Sequence, residues 1–206
     1  MTRSAARIAG ALAALVAAAL FVALALDAHA WSTRLPADDL RFRHDALSKR
    51  LWEPKQRAPF HLAAHVLGVH EEIAYRDALR AFRVGRPLEP LTNTQVTARR
   101  IRAQIELQNL IERSHNRRRR SQAANLVGVL AFAAATQDVS QRITFLNNAI
   151  ASFRTAIELD PKNDDALFNL EYALGQLKEA AQQQAGPNQR FGQQGGAGLA
   201  EPGHGY

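Results

Sequence analysis

Three side chains near residue 65 have the types and spacing of a metal site. His61, His65 and Glu72 would stand at about 0°, 40° and 20° on a single continuous helix, and imidazole with carboxylate is a common donor set for a transition metal. Gly68 interrupts that helix and His70 faces elsewhere, so the simpler reading is partly exposed histidines. A second group is the run Arg117, Arg118, Arg119 and Arg120, which suits an anionic surface. The chain has no cysteine, which removes disulfides, thiolate metal sites and cysteine nucleophiles together. It also has no nucleophile elbow, phosphate loop or HExxH motif. Asp164 and Asp165 read as a helix amino-terminus favoured by the dipole. Catalytic residues, a metal and a cofactor are therefore not expected, and neither is an enzyme.

The elements that carry these residues begin with an apolar block. Ile8–Leu26 holds no charge, and nineteen residues at 1.5 Å each come to about 28 Å, close to a bilayer's hydrocarbon thickness. Arg3 and Arg7 precede it, which keeps the short tail in the cytoplasm and sends the bulk of the chain outward. The expected location is the cell membrane, single-pass. Ala28-His29-Ala30 also reads as a signal-peptidase site, but the apolar run is longer than a signal peptide's, which favours a retained anchor. A second apolar stretch, Ala123–Ala135, is too short to cross alone and reads as a core helix with a basic entry loop.

Beyond Asp38 the residues are mostly good helix formers without alternating β-branched runs, so the fold class is all-α: one transmembrane helix, a helical-hairpin domain and a disordered tail. Trp52 anchors a loop between Pro54 and Pro59. Helices are predicted over Phe60–Leu67 and Glu71–Arg83, the latter with Ile73, Ala74, Ala78 and Phe82 inward. Another runs from Thr92 or Asn93 to about His115, with Val96, Ile101, Ile105, Leu110 and Ile111 inward. Residues 34–120 carry a net +9 and residues 121–185 a net −3, so the overall +7 averages two unlike regions. The expected organisation is an anchor over 1–30, a basic helical region over 38–120, a repeat-like region over 121–181 and a Gly/Gln-rich disordered tail over 182–206. Nucleic acid is not an expected partner, because aromatic interleaving is absent and the export signal points elsewhere.

The strongest periodicity lies between Gln141 and Leu177. Leu146, Ala149, Ile150, Phe153, Ala156 and Ile157 make one buried face after a capping box of Asp138 and Gln141. Pro161 closes that helix, and Leu167, Leu170, Leu174 and Leu177 form the expected inward stripe of the next. Ala149, Phe153, Ala156 and Pro161, followed by Ala166, Asn169, Leu170 and Leu174, resemble the tetratricopeptide repeat. Ala123, Val127 and Gly128 would belong to the preceding helix. Gly128 and Glu171 lie 43 positions apart where the repeat has 34, which implies about nine inserted residues around 137–147. Only one and a half units are present, so the helices between 60 and 115 must complete the core.

This resemblance implies a peptide-binding concave face, with Asn125, Phe168 and Asn169 as exposed contact positions. The alternative for Asn169 is a bond within the repeat turn. The anchor, AHVLGVHEEIAYRDALRAFR, RRRRSQAANLVGVLAF and the terminal repeat are together similar to small membrane-anchored repeat proteins of actinobacteria. These accompany MoxR-type ATPases and von Willebrand factor A proteins and are similar to the Bat-type aerotolerance proteins. The resemblance implies a non-enzymatic scaffold whose partners are von Willebrand A-type membrane proteins. The other expectation is an envelope protein that binds anionic lipid or an acidic polymer through Arg117–Arg120.

Overall fold

The computed structural model describes residues 3–86 and 94–184, and every element in them is helical. In chain order these are α1 (Arg3–His44), a 3₁₀ turn (Pro59–His61), α2 (Leu62–Val66), α3 (Val69–Gly85), α4 (Thr94–Arg113), α5 (Arg117–Gln137), α6 (Arg142–Leu159) and α7 (Asp164–Gln184). The described residues fall into two compact units, one ending at Ser114 and the other starting at His115. The division falls ahead of the four arginines, which therefore begin the second unit rather than end the first. The tail beyond Gln184 lies outside the described residues.

In the first unit, α1 is a single helix of 42 residues, long and apolar enough to cross a membrane. It does not stop at residue 30. Ala28-His29-Ala30 sits inside it, and its second half is the spine of the unit. Asp27, Trp31, Leu35, Asp38 and Phe42 recur at steps of four, four, three and four, which places them on one helix face. Trp31 and Leu35 pack against Ala64, Val69 and Ile73. Phe42 meets the edge of Trp52, which is fully buried as the loop anchor.

Two carboxylates on this face hold the loop that follows. Asp27 is fully buried and accepts from the backbone N–H of Arg57 (2.8 and 3.0 Å) and Ala58 (2.8 Å). Asp38, equally buried, accepts from the Trp52 N–H at 2.9 Å and from Arg34 and Arg41 at 3.0 and 3.1 Å. Asp39, next to this face, accepts from Trp52 Nε1 at 2.8 Å and pairs with Arg76 of α3 at 2.9 Å. Burial alone would raise the Asp39 carboxyl, but the hydrogen bonds from Arg76 and Trp52 and the Arg76 charge hold it below its ordinary value. Arg80 and Arg83 of α3 then donate to the carbonyls of Ala46, Ser48, Phe42 and Arg43. These carbonyls lie at and just beyond the end of α1, where guanidinium groups oppose the negative end of the helix dipole.

Helices α3 and α4 form a hairpin. Gly85 allows their close approach, since a Cβ there would lie 2.8 Å from the Arg99 carbonyl oxygen. The inward row of α4 is Val96, Arg100, Ala103, Leu107 and Leu110. Ile101 and Ile105, expected inward, are more than half exposed, because the close contact selects the row containing Ala103 and turns the bulkier residues outward. Ala74 of α3 is exposed as well, while Ala78 is buried as expected.

The second unit is a three-helix stack in which α6 packs on α5 and α7 packs on α6. Phe153 is its centre, enclosed by Ala149, Ile150, Ala173, Val129, Phe132 and Leu170. Gly128 of α5 faces it so closely that a Cβ would sit 2.4 Å from the ring. The apolar stretch Ala123–Ala135 is part of α5, a core helix with Ala123, Ala124, Gly128, Leu130, Ala134 and Ala135 buried. The spacing in excess of a regular repeat is helical rather than looped: α5 and α6 have 21 and 18 residues, and only Asp138–Gln141 joins them. In that joint Asp138 accepts from the N–H of Ser140 and of Gln141, at 3.0 and 3.1 Å. Its hydrogen bonds from the Ser140 side chain and the Gln141 backbone lower its carboxyl pKa. In α7 the inward row is Ala166, Leu170, Ala173, Leu177 and Ala180. Leu167 and Leu174 stand exposed on the flank, again because small residues occupy the close contact.

Candidate protein-binding face

On the side of the second unit where α5 and α7 run side by side, a polar seam lies beneath an aromatic surface. The seam begins at Ser121, which is fully buried, donates to the Ala156 carbonyl at 2.7 Å and accepts from Asn163 Nδ2 at 2.8 Å. One turn along α5, Asn125 is 7% exposed and accepts from Asn169 Nδ2 at 2.9 Å. Asn125 is therefore not an exposed contact position. A buried amide must find partners inside the fold, and this one joins α5 to α7. Asn169, half-buried, is the other end of that link rather than a free contact.

Phe168 is the one of these three expected contact residues that stands largely in solvent, at 69% exposure. One helical turn further, Tyr172 is 54% exposed, and its ring lies parallel to Phe168 with centroids 6.5 Å apart. Phe132 of α5 meets Tyr172 at 5.4 Å. Three aromatic rings from two helices thus form one continuous strip. Rings so placed have two rotatable bonds each, present apolar faces to solvent, and can pack against an apolar segment at small entropic cost. Sequence reasoning passed over Tyr172 and Phe132. The available signal was the i, i+4 pair Phe168 and Tyr172, two aromatics on a face that the periodicity did not need for the core.

The arginine run lies in the first turn of α5 rather than in an entry loop. Four positive charges at the positive end of a helix dipole are unfavourable. Two contacts offset this: Asn116 caps the helix by accepting from the Arg119 N–H, and Arg117 Nη2 reaches the Glu158 carbonyl near the end of α6 at 3.3 Å. Arg117 and Arg118 are exposed, while Arg119 and Arg120 are half-buried.

In the first unit the histidine arrangement differs from the metal-site geometry. Gly68, with φ +61°, separates α2 from α3 as expected, so His65 and Glu72 do not share one helix. The same turn brings His70 to His65, with their ring nitrogens 3.3 Å apart, although helical spacing sent it elsewhere. The side chain of His61 lies outside the described residues. Among the described residues no group of three metal-binding side chains comes together. A polar groove of about 480 Å³ runs between α3 and α4, lined by Glu53, Asp77, Arg80, Arg99, Arg102 and Glu106. Burial raises the Asp77 carboxyl pKa, assisted by the negative charges of Glu106 and Glu53 and opposed by Arg80. The alternating charges of its walls leave no single sign of ligand favoured.

Compared with known proteins, the chain matches no family, no curated protein and no solved structure.

Proposed function

We propose that this chain is a membrane-anchored interaction scaffold whose second unit, read as one and a half tetratricopeptide-like units, holds a partner segment against the Phe132, Phe168 and Tyr172 strip. The observation that carries this reading is the exposure of the Phe168 and Tyr172 rings on α7, of which Tyr172 rests on Phe132 of α5 and Phe168 stands largely in solvent. Helix α1 is the anchor, oriented by Arg3 and Arg7 with the two units outside the cytoplasm. The anchor is retained, because removal of residues 1–30 would strip Asp27 from the backbone N–H groups it satisfies at Arg57 and Ala58. The partner class follows from the resemblance to repeat proteins that accompany MoxR ATPases: von Willebrand A-type membrane proteins.

Exposure of Arg117 and Arg118 supports a second reading, in which the chain binds an anionic lipid or acidic envelope polymer. A photocrosslinking residue placed at Phe168 and, separately, at Tyr172 in intact cells distinguishes the two. The scaffold reading predicts a discrete protein adduct from both positions that survives replacement of Arg117–Arg120 by Gln. Absence of protein adducts, with retention of the detergent-solubilised chain on an acidic polymer resin lost in the Gln variant, overturns it in favour of the second reading.

A further inference from the structure

The first unit exposes a dense set of apolar side chains between the 3₁₀ turn and the residue after α2. Phe60 is 93% exposed and Val66 70%, with Leu62 and Leu67 also open to solvent. The short helix is two-faced: Ala63 and Ala64 are buried, Ala64 against Trp31 of α1, while Leu62 and Val66, four residues apart, point away. Four large apolar side chains in eight residues is a density that soluble surfaces rarely show without a partner.

The position of this segment along α1 identifies the partner. Asp27 is the first residue after the apolar run Ile8–Leu26, and its carboxylate accepts from the N–H groups of Arg57 and Ala58. Pro59 and Phe60 follow directly, so the aromatic ring starts from the level at which the span ends. Trp31, which Ala64 touches, is five residues past Leu26, or about 7 Å at 1.5 Å per residue. The polar interfacial layer on each side of the hydrocarbon is of about that depth. The segment therefore occupies the layer between acyl chains and water. Phe60, with φ +56°, holds a left-handed conformation unusual for its type, and its ring is turned out of the unit. Exposed basic residues, Lys55 and Arg57, precede it within the same loop and suit lipid phosphates.

We propose that Phe60, Leu62, Val66 and Leu67 insert into the interfacial layer of the bilayer that α1 crosses, giving the first unit a second, lateral attachment to the lipid surface. This rests on α1 crossing the membrane, which is part of the reading above. The chain's lack of cysteine makes the test direct. Single variants Phe60→Cys, Val66→Cys, Ala17→Cys in the span and Lys162→Cys in the exposed turn of the second unit are labelled with a nitroxide. The full chain is then reconstituted in vesicles of phosphatidylcholine and phosphatidylglycerol. Collisions with dissolved oxygen, which enriches in lipid, are compared with those of a water-soluble nickel chelate.

The expected result is shielding from nickel at Ala17, and at Phe60 and Val66 a nickel collision rate at least several-fold below that at Lys162 with oxygen access retained. Nickel access at Phe60 and Val66 equal to that at Lys162, with Ala17 shielded, overturns the inference and leaves the span standing. Shielding of Phe60 and Val66 from both reagents also overturns it, because it marks a protein contact. Nickel access at Ala17 overturns the span and this inference together.

Discussion

The contact between Gly128 and Phe153 sets a sharp condition on the second unit. A methyl group at position 128 would stand 2.4, 2.6 and 2.9 Å from three atoms of the Phe153 ring, where real contacts of this kind do not go below 3.0 Å. The ring is 1% exposed and is enclosed by Ala149, Ile150, Ala173 and Leu170, so it cannot swing aside as a surface chain would. Overpacking of a filled core costs about 1–3 kcal/mol, and three simultaneous close contacts place Gly128→Ala at the upper end. Alanine gains about 1 kcal/mol over glycine as a helix former, which leaves a net loss of about 2 kcal/mol. For a unit of this size that lowers the melting temperature by roughly 8–16 °C.

The two tryptophans, Trp31 and Trp52, both lie in the first unit, so their fluorescence follows that unit while far-UV circular dichroism follows both. The full chain in detergent should show an earlier dichroism transition with the fluorescence transition unmoved. Adding Phe153→Leu should make the double variant more stable than the sum of the two single effects by at least about 1 kcal/mol, the signature of residues in contact. An unchanged or raised dichroism midpoint in Gly128→Ala would refute the packing argument. So would strict additivity in the double variant.

Two further outcomes concern the first unit. Asp38→Ala leaves the buried Trp52 N–H without its acceptor and removes the carboxylate shared by Arg34 and Arg41. The expected loss is about 2–3 kcal/mol, read as an earlier tryptophan-fluorescence transition. Asp77 acts in the opposite sense. Because burial raises its folded pKa, the folded state holds its proton more tightly than the unfolded chain, and stability falls as pH rises from the ordinary carboxylate value through the raised one. Asp77→Asn should therefore raise the melting temperature at neutral pH and have little effect below the ordinary carboxylate range. A melting-temperature difference that stays constant with pH overturns the linkage.

What was legible in the sequence follows from which residue types mark a buried face. In α6 the contact row contains the large Phe153 between Ala149 and Ala156, so size and periodicity point the same way. In α4 and α7 they diverge. Large aliphatics at 101, 105, 167 and 174 draw the reading toward their own face, yet helices that approach closely need the row with Ala103, or with Ala166, Ala173 and Ala180. The length of α1 was hidden for a different reason. Asp27 looks like the end of an apolar helix and Pro36 like a breaker, but the carboxylate is absorbed by Arg57 and Ala58 and the helix continues through both. At the candidate face, the repeat resemblance expects Phe168 and Asn125 alike to be exposed; Phe168 is, whereas Asn125 is buried, because an amide is equally suited to an exposed contact and to a buried cross-link.

In the anchored reading, a helix that continues without interruption from the apolar run Ile8–Leu26 into the first unit, and is clasped there by its own loop, transmits torque. Most anchored domains hang from a leash and sample every heading above the bilayer. Here the azimuth of the first unit is fixed to the rotation of the apolar half of α1, because Asp27, Asp38 and Asp39 hold the loop and α3 to three points along the same rod. On that reading, anything that rolled or tilted α1 in a bilayer, such as a neighbouring span or a change in bilayer thickness, would turn the first unit by the same angle.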